Sequence, residues 1–180
     1  YNKEIRVFEV YKKGLFYALL YADFFPRPGK RDGAWMTSFR SQKKNQRPHV
    51  SIVCNFSRPT KTKPSLLTFQ EVTTLFHEFG HALHGILANT NYSSLSGTNV
   101  YWDFVELPSQ IMENWCYEKE ALLIYAKHYK TGKALPRKFI EKIKKIKNFQ
   151  QGLHTLRQLS LGYLDTVSYT HLTLPTNDRV

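Results

Sequence analysis

The chain has few cysteines, no long apolar run and no initiator methionine. Its 180 residues include two cysteines, Cys54 and Cys116, both in apolar surroundings. Two such distant cysteines do not make the disulfide framework of a small secreted domain, so we expect buried free thiols and a cytoplasmic location. The absence of about 18 consecutive apolar residues argues against a membrane anchor within this sequence. Because the sequence starts at Tyr1, we expect a fragment whose natural start, with any targeting signal there, is missing.

Acidic residues are also scarce relative to basic ones. Lys and Arg number 26 against 14 Asp and Glu, which gives a formal net charge of +12. Clustered cations bind nucleic-acid phosphates, so a non-catalytic basic binding module is one hypothesis. The basic residues nevertheless fall into separate groups, and the one at 142–147 alternates with isoleucines as on the solvated face of a helix. We therefore expect neither a nucleic-acid nor a membrane partner.

Residues 1–56 are rich in strand-forming residues. The segment Glu4–Tyr11 alternates polar with β-branched or aromatic residues, and an apolar, aromatic run follows at Leu15–Phe25. The Lys-Lys-Gly sequence between them, ending at Gly14, predicts the turn of a β-hairpin. A further strand is predicted at His49–Phe56. Together these segments predict a small N-terminal β-sheet.

A capped amphipathic helix is predicted next. Thr68 and Glu71 have the spacing of a capping box, in which each side chain satisfies a backbone N–H at the helix start. Apolar residues then recur at three- and four-residue spacing to about Ala88, as in a helix with a broad buried face. Gly80 inside this helix costs about 1 kcal/mol relative to alanine. We therefore expect another backbone or a substrate to approach closely there.

The rest of the chain predicts further helices and no domain linker. The helical segments are 103–128, 136–148 and 149–166. The predicted fold class is mainly α with a small N-terminal β-sheet, in one domain over 1–166 that is β-rich over 1–56 and helical over 68–166. Residues 167–180 are Thr-rich and leave the helical period, so we expect them to be a non-native tail.

The predicted capped helix carries the pattern HExxH. His77 and His81 are four residues apart and therefore project from one face of a helix, where they can share a metal ion. Glu78 follows the first histidine directly. Two zinc ligands and an adjacent carboxylate that takes a proton from water are the parts of a metallopeptidase site.

Zinc needs a third protein ligand, and several residues compete for this role. His84 lies on the same face of the helix as His77 and His81. It is about 10 Å from His77 along the helix axis, so these three histidines together suit one tetrahedral ion poorly. Glu106 is favoured modestly over Asp103 and Glu113, because a loop long enough to turn the chain back separates it from the helix. One of these other two acids is expected to hold an imidazole in the correct tautomer.

A polar loop follows the HExxH helix. Its Ser96-Gly97-Thr98 segment is the best candidate for contact with a substrate backbone, since glycine permits close approach and the neighbouring hydroxyls can hydrogen-bond. A plain surface connection is the alternative.

Several blocks in the same order resemble the thimet oligopeptidase and peptidyl-dipeptidase family of zinc metallopeptidases. They are GKRDGAWM at 29–36, HEFGHALHG at 77–85, SLSGT at 94–98, DFVELPSQ at 103–110 and ENW at 113–115. The resemblance implies a helical catalytic domain around a deep channel for short peptides, with one zinc ion held by His77, His81 and Glu106 and with Glu78 as general base. Bacterial peptidyl-dipeptidases, which release dipeptides from free C-termini, are the most similar branch. An oligoendopeptidase of the same family is the close alternative, and a monomer is expected for the full-length protein.

The same resemblance also implies that a group is missing. Family members stabilise the oxyanion with Tyr and His residues from a Gly-Tyr-rich block near the C-terminus, and no such block occurs in this sequence. We therefore expect the 180-residue chain on its own to bind zinc weakly and to turn over peptides poorly or not at all.

Overall fold

The computed structural model describes residues 1–170, with side chains as far as residue 168. Two compact units are distinguished, Tyr1–Leu135 and a second that begins at Pro136. The predicted fold class, mainly helical with a small N-terminal sheet, is confirmed. No helix within residues 1–170 is both long and apolar enough to cross a membrane.

The sheet has four strands and is made of two hairpins side by side. The strands are β1 Arg6–Lys12, β2 Leu15–Asp23, β3 Trp35–Arg40 and β4 His49–Val53. Their order is β1-β2-β4-β3, with antiparallel pairs β1–β2 and β3–β4 joined by the parallel pair β2–β4. The predicted first hairpin is confirmed, and its turn places Lys13 and Gly14 at positive φ.

The loop before β3 is fixed by a buried lysine. The Lys30 ammonium group lies 3.0 Å from Asp23 Oδ1 and 2.9 Å from the carbonyl oxygen of Phe25, and it also donates to the carbonyl of Cys54. Only 4% of the Lys30 side chain is exposed. A buried cation is tolerated when charge and hydrogen bonds compensate it, as they do here. The loop is therefore held against the end of β2 and the residue that follows β4.

Helix α1, Phe69–Leu87, packs across the sheet. The predicted capping box is present: the Thr68 hydroxyl accepts from the Glu71 N–H, and the Glu71 carboxylate accepts from the Thr68 N–H. Buried residues of the helix, of β2, and of β4 with the segment that follows it form the core: Ala18, Leu20, Val50, Ile52, Cys54, Phe56, Ala82 and Ile86. The two predicted free thiols, Cys54 and Cys116, are buried and unpaired.

Arg47, in the connection between β3 and β4, closes the C-terminal end of α1. Its guanidinium donates to the carbonyl oxygens of Ile86 at 2.7 Å and Ala88 at 3.2 Å, and to that of Tyr17 on β2 at 2.8 Å. The last carbonyls of a helix have no partners within the helix, and a cation there is favoured by the helix dipole. One side chain thus joins α1, β2 and the second hairpin.

The single helix predicted over 103–128 is wrong. The structure instead has α2 Trp102–Val105, α3 Leu107–Glu113, a 3-10 turn at Asn114–Tyr117 and α4 Lys119–Tyr125. Pro108 has no N–H to continue α2, and its fixed φ suits the first turn of a new helix, so the chain restarts there. Glu106 is left between α2 and α3 with φ −86° and ψ −5°.

The second unit contains the two remaining predicted helices, α5 Arg137–Ile146 and α6 Gln151–Thr170. Helix α6 extends four residues beyond its predicted end at 166, into the segment predicted to be a non-native tail. Residues 171–180 of that segment lie outside the described residues.

Gly80 is the point at which α1 and α3 approach most closely. A Cβ built on Gly80 would lie 2.6 Å from the carbonyl oxygen of Pro108 and 2.6 Å from Ser109 Cα. The expected close approach of another backbone is confirmed. Any larger residue would have to push α3, and with it Glu106, away from the HExxH helix.

Replacing Gly80 by alanine is expected to destabilise the protein by roughly 1–3 kcal/mol, the usual cost of overpacking, although alanine is the better helix former. Gly162→Ala is the matched control, because Gly162 lies inside α6 with nothing within 4 Å of an added Cβ. That variant should be neutral or stabilising by up to about 1 kcal/mol. Urea unfolding of both variants measures the difference, and equal effects would contradict the packing argument.

Candidate metal centre

The first three residues of the site are held by α1. His77, Glu78 and His81 follow the helical period toward the side of α1 that faces the segment around Glu106. The two imidazole rings lie edge to face with their centroids 4.9 Å apart. Both histidines therefore present a ring nitrogen to one point, as the four-residue spacing predicts.

Glu106 supplies the third group. Its Oε2 lies 3.2 Å from His77 Nε2 and 3.2 Å from His81 Nε2. One ligand atom from each of the three residues falls within 4.8 Å of the others. Two atoms bound to one tetrahedral zinc at 2.0–2.1 Å are about 3.3 Å apart, so the two nitrogen–oxygen separations fit such an ion.

Two of the three groups have shifted pKa values that favour the protonation state of a metal ligand. Burial lowers the pKa of the His81 imidazole, which favours the neutral ring with a free lone pair. Burial opposes ionisation of Glu106, but the Ser109 hydroxyl and the two histidines hold the pKa of its carboxyl below the usual value. Neutral imidazoles beside a carboxylate are a typical set of zinc donors.

Two side chains of α3 orient these groups. Glu113 Oε1 lies 2.6 Å from His77 Nδ1, which fixes that ring with its other nitrogen toward Glu106. The buried Ser109 hydroxyl lies 2.7 Å from Glu106 Oε2 and 2.8 Å from the Glu106 carbonyl oxygen. The structure thus places Glu113, one of the two acids predicted to hold an imidazole, against His77, whereas Asp103 contacts neither histidine in the described part of the chain.

Replacing Glu113 by alanine is expected to weaken metal binding by about 10- to 100-fold, because His77 loses the partner that fixes its tautomer and ring orientation. Metal affinity measured by competition with a chromogenic chelator tests this. The control is Glu120→Ala, which removes an exposed carboxylate in the first turn of α4. Equal metal affinity in both variants would contradict the orienting role.

Glu78 is buried beside the three converging groups. Burial raises the pKa of the Glu78 carboxyl and is the largest effect. The nearby His77 opposes this rise, whereas the Glu106 carboxyl adds to it. Glu78 Oε2 is inaccessible and has no hydrogen-bond partner within residues 1–170. Glu78 lines a cavity of about 340 Å³ together with His77, His81 and Glu106, so its side chain borders the same space as the three converging groups.

The family model described as Peptidase family M3 matches residues 1–178. The chain belongs to peptidase family M3. Oligopeptidase A of Salmonella typhimurium is 46% identical over 176 residues, and dipeptidyl carboxypeptidase of Escherichia coli is 42% identical over 168 residues. Each alignment covers 92% of this chain and 25% of the relative. A probable cytosolic oligopeptidase A of Arabidopsis thaliana is 44% identical over 163 residues, covering 85% of this chain and 23% of the relative. The chain therefore spans about a quarter of the length of these curated relatives.

The structure places the three residues of the predicted substrate loop of this M3 chain in different surroundings. Thr98 lines the cavity with Glu78. Ser96 is buried, and its hydroxyl lies 3.4 Å from Gln42 Oε1. Gly97 has φ +59° and packs its backbone on Gly85, where a Cβ would lie 3.0 Å from Gly85 Cα. Only Thr98 of the three is therefore presented toward the converging ligands.

His84 and the tryptophans of the M3 chain are placed by contacts that the sequence does not reveal. The His84 ring meets Phe104 edge to face at 6.1 Å and does not join the metal cluster. Trp102 is 94% and Trp115 is 49% exposed, so neither tryptophan belongs to the core. Trp35 lines the cavity. Amphipathic spacing shows that a residue can be buried and does not show whether another element covers it.

Sequence reasoning also missed Ser109 and Gln42. Ser109 lies three residues after Glu106, and at a helix start a hydroxyl at this spacing can reach back to the earlier residue. This spacing is the signal that could have identified Ser109. Gln42 gives no local signal, because its partners lie 48 and 54 residues away in sequence.

Proposed function

We propose that this chain carries the metal-binding part of the active site of a zinc-dependent peptidase that hydrolyses short peptides. The observation that supports it best is the meeting of His77 Nε2, His81 Nε2 and Glu106 Oε2 in one cavity with the buried Glu78 carboxylate. Membership of family M3 and the peptidase names of the relatives support the same reading.

His77, His81 and Glu106 would hold one zinc ion per chain. When bound, zinc supplies Lewis-acid activation of water and of the scissile carbonyl. Glu78 accepts the proton of the attacking water and then delivers it to the leaving amine, as a general base and acid. The raised pKa of Glu78 suits both steps, because it makes the carboxylate a stronger base. A carboxylate that is too weak a base would not accept the proton.

The free edge of β3 offers a place for the peptide backbone. Strand β3 is at the edge of the sheet, and its residues Trp35 and Met36 line the cavity. An edge strand presents unpaired N–H and C=O groups, to which an extended peptide can add as a further strand. We propose that the substrate lies along β3, with Thr98 on the opposite side of its backbone.

Two cutting modes remain as candidate functions. Release of C-terminal dipeptides is the mode that the sequence resemblance implies, and dipeptidyl carboxypeptidase is among the relatives. Binding a free C-terminus requires a cation for its carboxylate. Among the described residues, no Lys or Arg lines the cavity, which supports the alternative of an oligopeptidase, and oligopeptidase A is also among the relatives.

The test is to incubate the full-length gene product with peptides of 5 to about 15 residues, each with a free or an amidated C-terminus, and to identify the products by mass spectrometry. Peptidase activity that a chelator abolishes and zinc restores is expected. Dipeptides from free C-termini alone would establish the exopeptidase mode, and equal cleavage of amidated peptides would establish the oligopeptidase mode. Activity unaffected by chelation would overturn the proposed function.

The remaining proposals concern partners and location. We propose a monomer acting on short peptides in the cytoplasm, without a nucleic-acid partner. Buried free thiols at Cys54 and Cys116 suit a reducing compartment, since burial raises the thiol pKa values to about 12 and about 11 and keeps the thiols unreactive.

A further inference from the structure

Gln42, in the connection between β3 and β4, is a buried polar residue that contacts the loop after α1. Only 1% of Gln42 is exposed. Its Oε1 accepts from the Thr90 N–H at 2.8 Å, the Thr90 hydroxyl at 3.0 Å and the Ser96 hydroxyl at 3.4 Å, and its Nε2 donates to the Thr90 carbonyl at 3.0 Å. All the hydrogen-bonding groups of this amide except one N–H are thus used on one loop.

This loop is fixed at two places before it reaches the metal cavity. Gln42 holds Thr90 and Ser96, and the left-handed Gly97 lies against the Gly85 backbone of α1. The next residue, Thr98, lines the cavity. Since one peptide unit separates Thr98 from Gly97, and two from Ser96, a displacement of the anchored segment moves Thr98 by a similar distance.

We propose that Gln42 is a positioning residue for the peptide substrate: it holds the 89–99 loop so that Thr98 can contact the bound backbone. This inference rests on the proposed peptidase function. Gln42 itself is not among the described residues that line the cavity, so its effect must pass through the loop. An apolar residue of the same size would fill the space but would leave the half-buried Thr90 groups and the buried Ser96 hydroxyl without this partner.

The test compares Gln42→Met with wild type in the full-length gene product. KM for a short peptide is expected to rise about 10-fold, while kcat changes less than about 3-fold, because a contact made equally in the ground and transition states affects KM alone. Zinc content is expected to stay at one per chain. Gln46→Met is the matched control: it lies in the same connection, and its amide donates to Ser41 rather than to the loop. It should leave KM unchanged.

A double-mutant cycle with Thr98→Ala separates positioning from general stabilisation. If Gln42 acts through Thr98, the Gln42→Met/Thr98→Ala variant should have a KM within about 2-fold of the larger single effect, whereas independent effects would multiply. Should Gln42→Met not fold, Ser96→Ala removes the hydroxyl that donates to Gln42, and its cycle with Thr98→Ala tests the same coupling.

Three results would overturn the inference. A lower melting temperature with unchanged KM would assign Gln42 to stability alone, and multiplicative effects in the cycle would show that it does not act through Thr98. If zinc-loaded wild type hydrolyses no peptide, the proposed function fails, and the positioning role fails with it. The first two results leave the wild-type peptidase intact, so the two kinds of failure are distinguishable.

Discussion

Replacing Glu78 by glutamine is expected to lower kcat/KM for peptide hydrolysis by about 10²- to 10⁴-fold, the range that general acid–base catalysis contributes. Glutamine has nearly the shape of glutamate but cannot accept the proton of the attacking water. Because Glu78 is buried on α1 and does not belong to the three converging ligands, the variant should still hold one zinc per chain. Activity of the full-length gene product on a fluorogenic peptide and its zinc content by mass spectrometry give both quantities from one preparation.

The control for this prediction is Glu120→Gln, the same change at an exposed position of α4. It should leave both activity and zinc content at the wild-type values. If Glu78→Gln kept activity within about 10-fold of wild type, Glu78 would not be the base. If it lost zinc instead, the carboxylate would be acting on the metal rather than on water.

The second large effect is expected for Glu106→Ala. Loss of a side chain that only orients a ligand lowers metal affinity by up to about 100-fold. Glu106 supplies the only carboxylate among the three converging groups, so its removal should lower zinc affinity by more than that. The chain would then be purified with much less than one zinc, as it would for His77→Ala. Metal analysis after dialysis against a weak chelator measures this, and unaltered zinc content in Glu106→Ala would reject Glu106 as the third ligand.

Ser109→Ala is the companion variant, since it keeps Glu106 but removes the hydroxyl that lies 2.7 Å from its Oε2. The loss of zinc affinity is expected to be about 10-fold or more, but smaller than that of Glu106→Ala, because the Glu106 carboxylate only becomes freer to rotate. An effect of Ser109→Ala equal to that of Glu106→Ala would indicate that disruption of α3, and not loss of a ligand, explains both.

The features that the sequence predicted well are those encoded over short distances. The capping box at Thr68 and Glu71 and the apolar period after it depend on residues within a few positions of each other, so α1 and the shared face of His77 and His81 could be derived directly. The tight turn at Gly14 likewise defined the first hairpin. Gly80 predicted that something approaches the helix closely, although not what.

The features that the sequence did not predict depend on which elements meet. Local periodicity could not show that the chain restarts at Pro108, because the apolar spacing continues through the break. For the same reason spacing alone left Glu106, Asp103 and Glu113 nearly equal, and only the packing of α3 on Gly80 distinguishes them. Gln42 joins segments far apart in sequence, and no local pattern records such a bond.

The order of the strands also has a consequence for how the site assembles in time. Each hairpin is local and would form in about 1–10 μs, whereas the parallel pairing of Leu19 with His49 requires the two hairpins to find each other. Arg47 binds β2 and the end of α1 together, so it can make its bonds only when all three pieces have docked. We therefore expect the pairing of β2 with β4 and the bonds of Arg47 to form late during refolding, with His77, His81 and Glu106 among the last groups to be brought together.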